Sequence, residues 1–325
     1  MLRYFAHRLL QAIVVLWATF TVSFLILYAL PGDAVSIVVG PDAGSGITPE
    51  QLAQLRHEYG FDRPLIVQYA TRLGQLFTGD LGVSISSGQP VAAMIADALP
   101  ATVQIAGVGL LFAIVLGGGI ALAATYFQWH PVRQLLLALP PIGVAVPSFW
   151  LGMLLLQLFS FRLKLFPAVG NEGFASVVLP AITLGVPTGA LIAQVLARSL
   201  NVTLREPYID TARAKGSSPL RIHFRHALRN SLLPALTMGS IVVGNLLAGS
   251  VVTETVFSRT GIGRLMSTAV TNRDVPVVAG LVVFSAAVFV ITNLVIDLIY
   301  PLVDPRIVLR RGRNRVAAAE ENNRG

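Results

Sequence analysis

The sequence has 325 residues, of which 54% are hydrophobic and 12% are charged, and its formal net charge is +8. Soluble domains carry about twice this share of charged residues, so the composition excludes an ordinary soluble protein. The lack of cysteine excludes disulfides, iron–sulfur clusters and thiolate catalysis. Six apolar runs are long enough to cross a bilayer as helices of about 20 residues, and they predict an all-α, polytopic membrane protein. They are 9–30, 101–127, 134–160, 177–199, 231–253 and 278–300.

The first apolar run follows a short segment that contains Arg3 and Arg8. It is longer than the apolar core of a signal peptide, which has about 7–15 residues, and no small-residue cleavage motif follows it. Residues 1–30 are therefore predicted to form a cytoplasmic segment and an uncleaved first transmembrane helix.

Residues 31–100 are predicted to form an extracytoplasmic helical segment. Thr48 and Pro49 are typical of a helix start, and Gly60 is placed to end that helix. A second helix is predicted over residues 64–77. A cap that only packs on the membrane domain and a surface that docks another protein both fit this pattern.

Residues 101–303 are predicted to form the transmembrane core. Pro140, Pro141 and Pro147 predict a bend in the third span, which suits either a translocation path or simple helix packing. The glycine run 117–119 predicts close approach of the second span to a neighbouring helix.

Polar side chains within the apolar runs mark candidate functional positions, because a polar group inside a bilayer is unfavourable. Gln157, Gln194 and Asn245 are the candidates for lining a translocation path. Asp297 lies near the inner end of the last span, where a structural ion pair is favoured over a proton relay. Glu254 falls at the outer end of its span, so no carboxylate is predicted at mid-membrane.

A basic loop between the fourth and fifth runs is far longer than the usual connection of about 2–8 residues. Its basic residues are Arg198, Arg205, Arg213, Lys215, Arg221, Arg225 and Arg229. Together with the basic segments at both ends of the chain, this loop produces the positive-inside pattern, which predicts cytoplasmic termini. Membrane orientation therefore explains the positive net charge, and binding to nucleic acid is not needed to explain it. The tail, residues 304–325, is predicted to be disordered and to contact anionic lipid.

The loop itself divides into two predicted helices. Pro207 suits the first position of a helix and Asp210 its first turn, whereas Lys215 and Gly216 match a helix end. A second helix is predicted over residues 218–230. Spacings of three and four place four side chains on one face of the first helix: Tyr208, Thr211, Ala212 and Lys215. That face suits a protein interface, and a basic elbow lying on anionic lipid fits the same residues equally well.

The order of short motifs along the chain resembles the permeases of ABC importers. The loop resembles their Glu-Ala-Ala motif: Asp210-Thr211-Ala212, three residues, Gly216, nine residues, then His226-Ala227-Leu228-Arg229. Its departures from the general motif, Asp-Thr-Ala for Glu-Ala-Ala and His-Ala-Leu-Arg for Ile-x-Leu-Pro, are similar to the B-type subunits of the dipeptide/oligopeptide/nickel branch (DppB/OppB-like). Further motifs extend the resemblance over nearly the whole chain: Gly79-Asp80-Leu81-Gly82, Pro147-Ser148-Phe149-Trp150, Leu232-Leu233-Pro234, Glu254-Thr255-Val256-Phe257-Ser258, Gly261-Ile262-Gly263-Arg264, Arg273-Asp274-Val275-Pro276 and Asp304-Pro305-Arg306.

This resemblance implies the MetI-like fold of a type I importer permease in the cytoplasmic membrane. The loop 200–230 would carry a coupling helix, which docks on a cytoplasmic ATPase and transmits its closure to the transmembrane helices. Gly216 would supply a turn without a Cβ, and Arg213 and Lys215 would reach polar groups of the ATPase. The implied coupling residues are Tyr208, Asp210, Thr211, Ala212, Arg213, Lys215 and Gly216. The implied partners are a homologous second permease, two ATPase subunits or domains, an extracytoplasmic substrate-binding protein and membrane lipid.

The chain itself is predicted to hold no cofactor, metal or catalytic residue. A phosphate-binding loop ends in Gly-Lys-Ser/Thr, whereas Lys164 precedes Leu165 and Lys215 precedes Gly216, so ATP and magnesium are expected to bind the partner subunits. An autonomous proton- or ion-coupled carrier is disfavoured because mid-membrane carboxylates are missing. A membrane enzyme is disfavoured because the 5 histidines are scattered and no nucleophile motif is present.

The substrate implied by the resemblance is a dipeptide or oligopeptide. Nickel chelates or another small solute, carried by the same kind of machine, are the alternative. The sequence has no obvious metal-binding cluster, which favours peptides.

Overall fold

The computed structural model describes residues 2–28 and 62–303, together with residues 50, 53, 54 and 57; side chains at 2–5 and 298–303 are not described. Most of the helix predicted over residues 48–60, and the whole tail 304–325, lie outside the described residues. The predictions for those segments therefore stay predictions.

Regular structure in the described part of the chain is helical, apart from one bridge between Val83 and Pro90. The α-helices are α1 (Leu2–Tyr28), α2 (Leu65–Phe77), α3 (Val91–Tyr126), α4 (His130–Ala145), α5 (Ser148–Leu155), α6 (Ala175–Thr203), α7 (Pro207–Ala214), α8 (Pro219–Arg221), α9 (Leu228–Thr237), α10 (Gly239–Val256), α11 (Ile262–Thr271) and α12 (Val275–Val303). A π-helical segment, Leu156–Arg162, continues α5, and another, Ile222–Ala227, joins α8 to α9.

Five helical stretches are long and apolar enough to cross a membrane: Ala6–Tyr28, Val91–Tyr126, Ala175–Thr203, Gly239–Val256 and Val275–Asp297. Helix α4 and the stretch Ser148–Arg162 are long and apolar enough when they are taken together. They make a sixth span if the bent pair is counted as one. The predicted all-α, polytopic membrane fold is therefore confirmed.

The predicted third span, 134–160, is broken rather than gently bent. Helix α4 and the stretch Ser148–Arg162 meet at 100°. Val146 between them has φ −72° and ψ 123°, an extended conformation. The ring of Pro147 causes this, because a proline disfavours helical backbone in the residue before it. The pair Pro140-Pro141 lies inside α4 without ending it.

The described residues form two compact units. Those of the first lie within Met1–Gly107, Gly152–Pro180 and Leu247–Val290, and those of the second lie within Val108–Leu151, Ala181–Leu246 and Ile291–Gly325. The core of the first unit is built by buried side chains of α3, α11 and α12, namely Val91, Ile95, Ala98, Ile262, Ala269, Val277 and Leu281. A core cluster of the second unit contains Ala121, Leu196, Ala197, Leu200 and Ala227.

Small residues allow α3 and α6 to touch along their backbones in the second unit. A Cβ built on Gly117 would overlap the carbonyl oxygen of Gly189, and a Cβ on Gly189 would lie 3.0 Å from the carbonyl oxygen of Ala113. Gly118 and Gly119 have nothing within 4 Å of a Cβ position. The close approach predicted for the glycine run is therefore confirmed for Gly117 alone.

Candidate coupling site

The loop after α6 folds into the short helix α7, whose two ends follow the predicted pattern. Pro207 occupies the first turn. At the other end, the N–H of Gly216 donates to the carbonyl of Arg213 (2.9 Å), and the N–H of Ser217 donates to that of Ala212 (3.1 Å). The φ angle of Gly216 is +77°, which glycine adopts without steric cost. These bonds form a Schellman motif, so Gly216 ends the helix for a conformational reason.

Helix α7 buries one face and exposes the other. Ile209 and Ala212 are buried and belong to one apolar cluster with Ile222, against which Leu204 packs. The prediction that Ala212 is displayed beside Tyr208 is therefore wrong, because residues three apart share a side of a helix and Ala212 follows Ile209 into the interior. The exposed members of the predicted coupling set are Tyr208, Asp210, Thr211, Arg213, Lys215 and Gly216.

Tyr208 fastens α7 to the π-helical segment Ile222–Ala227 and to α9. Its hydroxyl accepts a hydrogen bond from Nδ2 of Asn230 (2.8 Å) and donates to the carbonyl oxygen of His226 (3.3 Å). The sequence placed Tyr208 on a docking face and gave Asn230 no role beyond the end of the second predicted helix. Tyr208 therefore sets the position of α7 as well as contributing to its surface.

Replacing Tyr208 with phenylalanine is expected to lower transport by about fivefold, because it removes hydrogen bonds worth about 1 kcal/mol at the base of the helix. The ring stays, so the amount of folded protein should not change. The measurement is transport per ATP hydrolysed in proteoliposomes. Tyr126→Phe is the matched control, since Tyr126 is 38% exposed and Tyr208 is 39% exposed. If Tyr208→Phe and Tyr126→Phe changed transport per ATP by the same factor, the role of Tyr208 in positioning α7 would be contradicted.

Two further contacts anchor the loop to the transmembrane helices of the second unit. Both ring nitrogens of His223 lie near carbonyl oxygens, at 3.1 Å from Pro219 and 3.2 Å from Thr125 at the end of α3. The buried hydroxyl of Ser231 donates to that of Thr203 (2.9 Å) at the end of α6. The segment around α7 is thus held at defined points and is not a free linker.

The exposed face of α7 carries charged side chains whose ion pairing is weak. Asp210 and Arg213 form an ion pair at 2.9 Å, and their side chains are 72% and 57% exposed. Surface pairs of this kind contribute about 0–1 kcal/mol, so the pair can exchange for a partner's groups at little cost. Lys215 forms no ion pair with another described residue.

The three path candidates lie in different surroundings. Gln194 is exposed on α6 and lines an open cavity of about 700 Å³ in the second unit. Asn245 is exposed on α10, also in the second unit. Gln157 is exposed in the π-helical continuation of α5, in the first unit. Of the three, Gln194 alone is a lining residue of that cavity.

Sequence reasoning missed a buried polar network in the first unit. Glu254 is fully buried and accepts hydrogen bonds from the hydroxyl of Thr102 (2.6 Å) and the N–H of Arg264 (3.0 Å). The same hydroxyl accepts from the N–H of Ile262 (2.8 Å). A Cβ on Gly261 would overlap the Glu254 carboxylate. Part of the sequence signal was present, because Glu254, Gly261, Ile262 and Arg264 belong to two motifs of the family resemblance, whereas Thr102 belongs to none.

Arg259 is buried beside this network. Its Nη1 atom donates to the carbonyl oxygens of Gly170 (3.0 Å) and Ser176 (2.9 Å) and to the Ser176 hydroxyl (2.9 Å). Burial lowers the pKa of Arg259, and the neighbouring Glu254 carboxylate opposes that shift. The guanidinium therefore ties the turn after α10 to the start of α6.

Asp274 holds the loop before α3 in the first unit. It is 1% exposed and accepts from the hydroxyls of Ser84 (2.6 Å) and Ser86 (2.7 Å) and from two backbone N–H groups, those of Ile85 (3.3 Å) and Ser86 (3.1 Å). Burial by itself would raise the pKa of Asp274, but these hydrogen bonds outweigh it and the pKa is lowered.

A lowered pKa means that the Asp274 carboxylate stabilises the fold above its ordinary pKa of about 3.9, and that this contribution is lost as the pH falls through the lower value of the folded state. Asp274→Asn is expected to reduce the free energy of unfolding by about 3 kcal/mol at neutral pH. Its melting temperature should also depend less on pH below about 4 than that of the wild type. Asp97→Asn, at an exposed position, is the control; an identical acid profile for both variants would refute the assignment.

The fold defines an all-helical, multi-pass membrane protein. Residues 109–309 match the family described as "Binding-protein-dependent transport system inner membrane component". Residues 1–106 match its N-terminal companion, "Binding-prot-dependent transport system membrane comp, N-term". The chain belongs to this family of ABC importer permeases and is a permease subunit in the cytoplasmic membrane. Members of the family act with ATPase and binding-protein partners.

Relatives match along nearly the whole chain. The glutathione transport system permease protein GsiC of Salmonella paratyphi A is 35% identical over 94% of this chain and 99% of its own length. The probable peptide ABC transporter permease protein y4tP of Sinorhizobium fredii is 34% identical, over 94% of this chain and 98% of its own. The dipeptide transport system permease protein DppB of Alkalihalophilus pseudofirmus is also 34% identical, over 94% and 99%.

A solved structure supports the fold independently. An inward-facing form of the MetNI methionine ABC transporter contains a chain that aligns with a TM-score of 0.52 and 16% identity. The alignment covers 65% of this chain and 96% of the other. The predicted MetI-like permease fold is confirmed, and the likeness is limited to the fold.

Proposed function

We propose that this chain forms, with a homologous second permease, the membrane pathway of an importer for dipeptides or oligopeptides. The observation that carries the substrate class is the similarity, over 94% of the chain, to permeases named for glutathione, peptides and dipeptides. Gln157, Gln194 and Asn245 are the proposed path residues.

Helix α7 is the proposed contact with the ATPase. It is short, its outer face is polar, its inner face packs through Ile209, and the exposed Tyr208 holds it by a hydrogen bond with Asn230. A rigid helix on the surface can transmit a displacement, whereas an unstructured linker would absorb it. The proposed coupling residues are Tyr208, Asp210, Thr211, Arg213, Lys215 and Gly216; Ala212 contributes by packing inside.

ATP and magnesium bind partner subunits in this proposal, and the chain itself performs no catalysis. Two ATPase subunits or domains on the cytoplasmic side supply the energy. An extracytoplasmic binding protein delivers the substrate.

The test is purification of the intact complex through a tag on this chain, with identification of its partners and of the solute held by the binding protein. ATP-driven uptake of labelled peptides is then measured in proteoliposomes. Peptide uptake that requires both the ATPase and the binding protein supports the proposal. A nickel chelate in the binding protein would refute the substrate class, and gradient-driven transport by this chain alone would refute the importer mechanism.

A further inference from the structure

The cavity that contains Gln194 has two different walls. Helices α3 and α4 line it with apolar residues only, among them Ile120, Leu136 and Pro141. Helix α6 and the turn behind it supply all of its polar lining: Gln194, Arg198, Asn201, Arg205 and Glu206. At about 700 Å³ the cavity lies within the usual range for small-molecule sites, about 300–1,000 Å³. A molecule that filled this cavity would meet one apolar wall and one polar wall.

The polar wall carries uncompensated positive charge. The side chains of Arg198 and Arg205 form no ion pair or hydrogen bond with another described residue. Arg133 brings a third positive charge next to this lining, since its Nη2 atom donates to Oδ1 of the lining residue Asn201 (3.3 Å). Glu206 is the one acidic residue of the lining. The electrostatic balance at this wall favours an anion.

The position of the cavity identifies the anion. It lies at the end of α6 that leads into the basic loop, and basic residues of a membrane chain concentrate on the cytoplasmic side. The cytoplasmic leaflet contains anionic phospholipids, whose headgroups bind basic pockets between transmembrane helices. A free phosphate would leave the walls from α3 and α4 in contact with water, whereas a phospholipid would cover them with an acyl chain.

We infer that this cavity binds an anionic phospholipid of the cytoplasmic leaflet, with its phosphate against Arg198 and Arg205 and an acyl chain along α3 and α4. The polar wall ends at Arg205 and Glu206, directly before Pro207 of α7. A lipid bound there stabilises the turn from which α7 starts. Anionic lipid thereby becomes a structural partner of the loop.

The experiment measures lipid binding to the purified complex by native mass spectrometry after delipidation, with phosphatidylglycerol and phosphatidylcholine as probes. The variant Arg198→Gln/Arg205→Gln is expected to bind phosphatidylglycerol about thirtyfold more weakly, since each arginine near a headgroup contributes about a fivefold factor. Arg198→Lys/Arg205→Lys should retain most of the binding. Arg221→Gln/Arg225→Gln, which removes the same charge outside the cavity lining, should bind like the wild type.

Equal weakening by both glutamine pairs would overturn the inference, because it would show general attraction to a basic surface. Equal binding of phosphatidylglycerol and phosphatidylcholine by the wild type would also overturn it. Displacement of the lipid by a transported peptide would assign the cavity to the peptide path instead, and displacement by inorganic phosphate alone would remove the role of the acyl chain. None of these measurements depends on transport, so failure here leaves the proposed importer function untouched, whereas lipid binding at this site would remove Gln194 from the proposed path residues.

Discussion

Gly216→Asp is expected to abolish transport while the chain still inserts in the membrane and assembles. Gly216 ends α7 with φ +77°, and a Cβ there would meet nothing within 4 Å, so the side chain itself is accommodated. The substitution strains the left-handed turn and places a negative charge at the C-terminus of a helix, where the dipole disfavours it. Loss of a central docking contact corresponds to about a thirtyfold or greater effect. Removal of residues 208–215 is expected to have the same result.

Two control variants separate the effect of the added negative charge from the effect of backbone strain. Gly216→Asn tolerates the left-handed backbone without the charge and should retain more transport than Gly216→Asp. Gly88→Asp introduces the same residue at another glycine with positive φ, +69°, and open space, and it should transport normally. The readout is ATP-dependent uptake beside the membrane abundance of each variant. Normal coupled uptake by Gly216→Asp would refute the assignment of α7 as the coupling helix.

Gly261→Ala is expected to lower the free energy of unfolding by about 2–3 kcal/mol. The added methyl group would occupy the space of the Glu254 carboxylate, which must then leave its bonds to Thr102 and Arg264. Buried donors that lose an acceptor add to the cost of the overpacking. The melting temperature of the detergent-solubilised complex measures the effect.

Gly244→Ala is the matched control on α10, since a Cβ there has nothing within 4 Å. It should be neutral or slightly stabilising, because alanine favours helix by about 1 kcal/mol over glycine. If Gly261→Ala melts at the same temperature as Gly244→Ala, the Glu254 network does not hold the end of α10.

The ends of α7 were predictable from the sequence, because helix ends depend on neighbouring residues. Pro207 and Gly216 act through their own backbone preferences, and the side chain of Ser218 accepts a hydrogen bond from the N–H of Arg221 three positions later (3.4 Å), which confirms the predicted start of the next helix. The π-helical segment that follows α8 was not predicted. The break at Pro147 was predicted as a bend, but its angle of 100° was not.

The sequence by itself determined the class of this protein, since the length of its apolar runs, the position of its basic residues and its motif order are properties of the chain alone. Only the tertiary structure decided which side chains meet. Burial and hydrogen bonding depend on partners far along the chain: Ala212 is buried with Ile222, Tyr208 is held by Asn230, and Glu254 finds Thr102 at a separation of 152 residues. No local pattern contains that information, because a helix exposes or buries a given face according to what packs against it.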